Sequence, residues 1–313
     1  MAERTIPKKV EDALRLLSAD RTSGASSLLE LAAGAFSALC YSSAAKNVQQ
    51  FVDRLESLCI DILGIQPFMA PLYNLCAFVL EGCDPALPLP KLKKAVARAA
   101  ARYVQQTKKA SEAASGAGAK LVRDGSRILT LSSSMAVVRA LELAKKDWKK
   151  FSVVVLESRP MLEGQDTAVH LAALGIPVEV APDGAMASEA RRCDHVLVGA
   201  DAITEEVLVN KAGTLALAVA CREFGVPVLA VADRSKLLPH GLLPENDRWR
   251  DPSELWDGAP DGVRVRNRYF EKVPLKYIGR FLMEDGPCTS KDVASRAAEE
   301  GPGQKRLAGL LER

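Results

Sequence analysis

After Ser126 the chain changes its hydrophobic period, and nothing else in the sequence constrains the fold as strongly. Short apolar runs at Arg127–Leu131, Phe151–Leu156, Val178–Val180, His195–Val198 and Val226–Val231 alternate with helical stretches such as Ser134–Lys146, Gly164–Leu174 and Leu215–Phe224. Strands separated by helices of about ten residues or more close as βαβ crossovers, which predicts a parallel sheet with helices on its faces. Before this point the spacing is helical: apolar residues recur every three to four positions in Val10–Leu17, Ser27–Leu39, Val48–Leu63 and Pro71–Leu80. The proline-rich stretch Asp84–Pro90 interrupts the pattern, a long helix Leu92–Ala114 follows, and Ser115-Gly116-Ala117-Gly118 is expected to end it. The expected class is α/β. An all-helical N-terminal domain (1–118) precedes a Rossmann-like, doubly wound parallel-sheet domain (119–285). A charged, Gly/Pro-punctuated segment (286–313) is expected as a short helix or a loose tail.

Composition narrows the function classes. With 313 residues, 48% of them hydrophobic and 26% charged, the chain suits a soluble globular protein with a sizeable core. A formal net charge of +3 is too small to argue for nucleic acid, so no direct nucleic-acid contact is expected. The basic clusters at Lys91–Lys94 and Lys145–Lys150 read as solvated helix faces. No apolar run approaches the roughly eighteen residues of a membrane span, and the N-terminus lacks a signal-peptide core, so a cytoplasmic protein with no membrane contact is expected. The 7 cysteines show no CxxC spacing and read as buried thiols; the 3 histidines lack metal-ligand spacing. Neither a metal nor a cofactor is expected. A nicotinamide dehydrogenase is disfavoured, because no strand leads into GxGxxG.

The stretch Val198–Thr214 (VGADAITEEVLVNKAGT) carries the functional signal. Gly199 allows a close backbone turn where the strand His195–Val198 ends, and Asp201 follows at once. After a polar excursion, Asn210 and Lys211 stand just ahead of the apolar helix Leu215–Phe224. In an open parallel sheet, ligands bind outside the carboxyl ends of the strands, so a carboxylate with an Asn-Lys pair there suits a small anionic ligand. The structural alternative is a helix-capping aspartate and a solvated lysine. Likewise Ser132-Ser133-Ser134, between the strand Arg127–Leu131 and a helix, forms either a phosphate cradle at a helix start or a serine N-cap with two loop serines.

These blocks resemble the family of initiation factor 2B α, β and δ subunits, which also contains methylthioribose-1-phosphate isomerase and ribose-1,5-bisphosphate isomerase. The resemblance rests on Gly199-Ala200-Asp201 and Asn210-Lys211-Ala212-Gly213-Thr214, with Glu157-Ser158-Arg159-Pro160 and Gly164, Ala232-Asp233-Arg234-Ser235-Lys236, and Asn267-Arg268-Tyr269-Phe270-Glu271-Lys272-Val273-Pro274, all in the family's order. It implies a helical domain followed by a Rossmann-like domain, and a ligand pocket lined by Arg21, Gly24, Gln66, Ser133, Ser134, Arg159, Asn210, Lys211 and Lys236. Arg21 has as its alternative a helix start capped by Thr22 or Ser23. Arg159 has as its alternative a salt bridge to Glu157 or Glu163. The block Phe270–Pro274 is expected to be structural.

The chain departs from the isomerase pattern twice. Where the isomerases carry a cysteine that works with the aspartate, it has Ser132. A thiol titrates near enough to neutrality to move protons; a serine hydroxyl does not without an adjacent base. Asp201 is then the remaining acid–base group of a two-group mechanism. Where many members carry Arg-Pro, this chain has Gln66-Pro67, one neutral amide in place of a charged fork. Two functions follow. The first is a regulatory or translation-factor-like member that binds a phosphorylated ribose or nucleotide without converting it. The second is an aldose–ketose isomerase acting on a ribose 1-phosphate through Asp201. The resemblance further implies a homodimer or hexamer and makes a translation GTPase a candidate partner; the apolar stretch Tyr269–Leu282 is the expected interface.

Overall fold

A computed structural model describes residues 7–20, 24–245 and 249–312. Five helices come first: α1 (Lys8–Ala19), α2 (Ala25–Ser42), α3 (Val48–Ile65), α4 (Ala70–Glu81) and α5 (Leu89–Leu121). Then β1 (Arg127–Leu131), α6 (Met135–Lys146), β2 (Ser152–Leu156), α7 (Glu163–Ala173), β3 (Val178–Ala181), α8 (Met186–Ala190) and β4 (His195–Val198) alternate. They are followed by β5 (Ala202–Ile203), β6 (Val207–Lys211), α9 (Thr214–Phe224) and β7 (Val228–Val231). The chain closes with β8 (Phe270–Pro274), β9 (Arg280–Met283), β10 (Gly286–Cys288), α10 (Ser290–Ala297) and α11 (Pro302–Leu311). The expected α/β class, with helices first and a largely parallel sheet after them, is what the chain adopts.

Two compact units result. One comprises residues 1–109, 241–243 and 299–313; the other comprises 110–240 and 244–298. In the first, α3 begins with Asn47, whose side chain accepts from the amide of Gln50 at 2.9 Å, an N-cap that satisfies one otherwise orphaned donor. Its core includes Leu17, Phe36, Phe51, Leu55 and Leu72, all at most 2% exposed. Arg306 of α11 reaches Glu56 at 2.9 Å within this unit.

The second unit holds a seven-stranded sheet in the order β10-β9-β7-β4-β1-β2-β3. All neighbours are parallel except β10 against β9. Alternate residues serve opposite faces. Leu129, Leu131, Val154, Leu156, Val196 and Val198 join Leu217 and Cys221 of α9 and Val293 of α10 on one side. Ile128, Val153, Val155, Leu197 and Leu229 join Val137 and Leu141 of α6 and Leu171 of α7 on the other. Strands covered on both faces explain the nearly continuous apolar runs of the sequence. From β1 the chain winds outward through β2 and β3; from β4 it winds the other way through β7 and β9. The order therefore reverses between β1 and β4, and the crevice at their carboxyl ends is the topological switch point.

Two expectations need correction. The Ser115–Gly118 stretch does not end α5, which continues to Leu121; Gly118 serves close packing, since a Cβ there would crowd Ala140 and Val231. The polar excursion before Asn210 is a hairpin, β5–β6, joined by β8 into a small antiparallel sheet. The segment after Gly286, expected as a short helix or a loose tail, forms β10, α10 with a Thr289/Asp292 capping box, and α11. Among the described residues, no helix is long and apolar enough to cross a membrane.

Candidate functional site

The loops after β1 and β4 meet at the switch point. A Cβ on Gly199 would collide with the Ser134 side chain, so glycine there lets the two strand ends close on one another. Ser134 stands at the N-cap position of α6 but its hydroxyl makes no capping bond, so the serine-cap alternative does not account for it. Ser132 adopts a left-handed backbone (φ 70°), as do Ser158 (φ 67°) and Leu162 (φ 60°) in the loop after β2. Such conformations cost non-glycine residues about 1–3 kcal/mol each and gather where the surroundings hold a site in shape. Here Ser158 Oγ accepts from the Ser132 amide at 2.8 Å, and Thr167 Oγ1 donates to the Ser132 carbonyl at 3.2 Å.

The hairpin explains how Asn210 and Lys211 come back to Asp201. Ala202 pairs with Val209, and the Asp201 amide donates to the Val209 carbonyl at 2.9 Å. The turn is closed by Thr204, whose hydroxyl accepts from the amides of Glu206 (3.3 Å) and Val207 (3.2 Å). Asp201 is thus not a helix cap. Its carboxyl is pushed up to about 6, chiefly by burial; the ammonium groups of Lys236 and Lys211 oppose that rise and Glu163 adds to it. These four charged groups share one environment.

Lys211 is not a solvated charge. It is 4% exposed, and its Nζ lies 2.7 Å from Glu163 Oε1 and 5.4 Å from the centre of the Tyr269 ring. Glu163 Oε1 also accepts from the Ser132 hydroxyl at 2.7 Å, while its Oε2 is buried with no hydrogen-bond partner among the described residues. Gly164, next in α7, lies so close under the Leu156 carbonyl that no side chain fits, and this fixes the helix start that presents Glu163. Asn210 Nδ2 donates to Thr214 Oγ1 at 3.1 Å, and that hydroxyl donates to the Lys211 carbonyl at 2.6 Å. Lys236 is half-buried at the end of a short turn whose Asp233 side chain accepts from the Ser235 amide at 2.9 Å.

The other expected residues fall elsewhere. Arg159 pairs with neither Glu157 nor Glu163. Its guanidinium donates to the Leu255 carbonyl at 3.0 Å, and its amide and that of Ser158 donate to the Asp183 carboxylate at 2.7 and 2.8 Å. Ser133 is half-buried beside Ser132 and Ser134. In the helical unit, Gln66 Nε2 donates to the carbonyls of Leu17 and Asp20, both at 3.3 Å, and Gly24 occupies the N-cap of α2. Arg21, with the alternative caps Thr22 and Ser23, lies outside the described residues. The block Phe270–Pro274 forms β8, and Glu271 Oε1 accepts from the amides of Gly213 and Leu215, both at 2.8 Å, at the start of α9. Glu163, Glu271 and Asp183 are the members that sequence reasoning did not assign. An acid in the first turn of a helix satisfies the helix dipole anyway, so Glu163 had no separate signal.

A family model described as the initiation factor 2 subunit family matches residues 21–290. The chain belongs to this family. A putative translation initiation factor eIF-2B subunit 2-like protein of Pyrococcus horikoshii is 32% identical over 284 residues, covering 90% of this chain and 96% of that protein. The ribose 1,5-bisphosphate isomerase of Haloterrigena turkmenica is 31% identical over 292 residues, covering 88% and 89%. The crystal structure of the Pyrococcus horikoshii translation initiation factor eIF-2B superposes with a TM-score of 0.78 at 31% identity, covering 90% of this chain and 97% of that one. Family members of both kinds, initiation-factor-like and isomerase, thus stand at nearly equal distance.

Proposed function

We propose that this family member binds a phosphorylated ribose or nucleotide at the carboxyl ends of β1 and β4 and holds it unconverted, in a regulatory or translation-factor-like role. The observation that carries this reading is the state of Ser132. It stands at the strand end where a thiol would be needed, and its hydroxyl is engaged by Glu163. All seven cysteines are buried, and for Cys40, Cys59, Cys83, Cys193, Cys221 and Cys288 burial pushes the thiol up, away from proton transfer near neutrality. Asp201, Asn210, Lys211, Lys236 and the Ser132–Ser134 loop would form the ligand contacts, with Arg159 at the margin. A homodimer through the sheet-bearing unit, stacked into a hexamer, and a translation GTPase as partner accompany this reading. Light scattering returning a monomer near 33.6 kDa at micromolar concentration would contradict the assembly.

A second reading is favoured by one observation: an aspartate that titrates at about 6 in the pocket is suited to general acid–base work, as an aldose–ketose isomerase requires. One assay separates the two. The purified protein is incubated with ribose 1,5-bisphosphate and with methylthioribose 1-phosphate, and ketose is sought by NMR. Bound but unconverted substrate, with a trace of turnover restored by Ser132→Cys, supports the regulatory reading. Robust wild-type turnover abolished by Asp201→Asn establishes the isomerase instead.

A further inference from the structure

The positive seats at the carboxyl edge of the sheet are largely filled by the protein's own carboxylates. Glu163 sits on Lys211 at 2.7 Å, in a pair whose side chains are 5% (Lys211) and 11% (Glu163) exposed. Glu271 takes the free amides at the start of α9, where an anion would otherwise dock. Asp183 takes the amides of Ser158 and Arg159 in the loop after β2. Asp201 adds a further acidic group. Among the described residues, what stays open is Lys236, which forms no ion pair, and the first turn of α6, which no side chain caps; Arg159, at the margin, gives its guanidinium to the Leu255 carbonyl. One buried acceptor is also left open: Glu163 Oε2 has no hydrogen-bond partner among the described residues.

We infer that Glu163 sets the ligand's charge: the pocket selects a ribose bearing one phosphate and rejects a bisphosphate. This rests on the sugar-phosphate reading above and deepens it. The single phosphate is matched to Lys236. A ribose hydroxyl donates to Glu163 Oε2, satisfying an acceptor that otherwise stays buried and unpaired at a cost. A second phosphate drawn to Lys211 would meet Glu163, which already neutralises that ammonium and would repel the incoming dianion across a water-poor site. Toward the phosphate, Lys211 is accordingly a positioning residue: it holds Glu163 in place and leaves the phosphate to Lys236, its own part in ligand contact being to the sugar.

Calorimetric titration with ribose 5-phosphate and with ribose 1,5-bisphosphate, on wild type and on Glu163→Gln, tests this. The amide keeps the shape and removes the charge. The wild type is expected to bind the monophosphate at least as tightly as the bisphosphate. Glu163→Gln should shift the ratio of the two affinities toward the bisphosphate by about tenfold, the order expected for a close charge pair in an interface. A wild type that prefers the bisphosphate, or a folded variant with an unchanged ratio, overturns the inference while leaving the sugar-phosphate reading in place. Failure of both ligands to bind either protein overturns that reading and the inference with it. Should Glu163→Gln melt too low to assay, Glu163→Asp withdraws the carboxylate by one methylene and should move the ratio the same way by about threefold; an unchanged ratio there overturns the inference equally.

Discussion

The two ends of the parallel sheet use charge in opposite ways. At the amino end, carboxylates close loops in the open. Asp194 accepts from the Arg127 amide at 2.8 Å, Asp124 from the Lys150 amide at 2.7 Å, and Arg127 grips Glu179 at 2.7 and 2.9 Å across the sheet edge. At the carboxyl end the charges are buried and crowded: Lys211 on Glu163, with Asp201 and Lys236 in the same field. Three left-handed non-glycine residues sit in the loops that hold them. Both ends contain orphaned atoms, His195 Nε2 and Arg127 Nε at one and Glu163 Oε2 at the other, but only at the carboxyl end does the orphan belong to a buried ion pair. Loop closure in water costs little and stabilises little. Burying an ion pair beside a desolvated aspartate costs several kcal/mol, and departures of that kind from local rules collect at functional sites.

Stability should break most sharply along this line. Lys211→Ala leaves Glu163 as an uncompensated buried charge and should lower stability by about 3–5 kcal/mol. Arg127→Ala removes a bidentate pair with the exposed Glu179 and a longer one to Glu189, neither of which leaves a fully buried charge behind, and should cost about 1 kcal/mol. Urea denaturation of the two variants checks the contrast; equal losses would erase it. Next in size is Gly199→Ala. A Cβ there meets Ser134, and since both strand ends are pinned by the sheet, overpacking should cost about 1–3 kcal/mol and weaken ligand binding as well. Adding Ser134→Gly should recover part of the loss, because the two substitutions touch the same contact.

A smaller effect concerns protons. Asp201 is raised to about 6 from its ordinary value of 3.8, so it is neutral below that point and ionised above it. An anion in the pocket favours the neutral form, so affinity should fall as pH rises through 6. Sulfate is the appropriate probe, since it keeps its charge across this range whereas a phosphate ester's own second pKa lies near 6. The expected loss between pH 5 and pH 7.5 is up to about tenfold, equivalent to one pKa unit of coupling, and Asp201→Asn should flatten the profile. A flat wild-type profile would mean that the carboxylate is remote from the bound anion. The same raised pKa makes ionised Asp201 a mild burden on the folded state: that part of the stability is full at low pH and declines as pH rises from about 4 to about 6.

Much of this was legible in the residues. Continuous apolar runs at β1, β2, β4 and β7 alternate with helices, and burial on both faces is the reason such runs exist, so the parallel sheet could be derived from period alone. Asp201 at the end of β4 and the serines at the end of β1 follow from the rule that function collects at strand ends. The hairpin β5–β6 was hidden, because an ITEEV stretch bearing two acids looks like a loop until β8, some sixty residues later, provides the pairing partner. Helix α5 runs on through Gly118 because tight packing on Ala140 and Val231 outweighs the intrinsic cost of glycine in a helix.

The sequence by itself therefore determined the class of fold and the residue types at the carboxyl ends of β1 and β4, Ser132 and Asp201 among them, because hydrophobic period and residue chemistry are local properties. Only the tertiary structure decided what each charge does. Whether Lys211 meets a solvent, a phosphate or Glu163 depends on a strand, a hairpin and a helix start brought together from positions 132, 163, 201 and 211, and electrostatic energy depends on distance and burial, neither of which is written in the order of the residues.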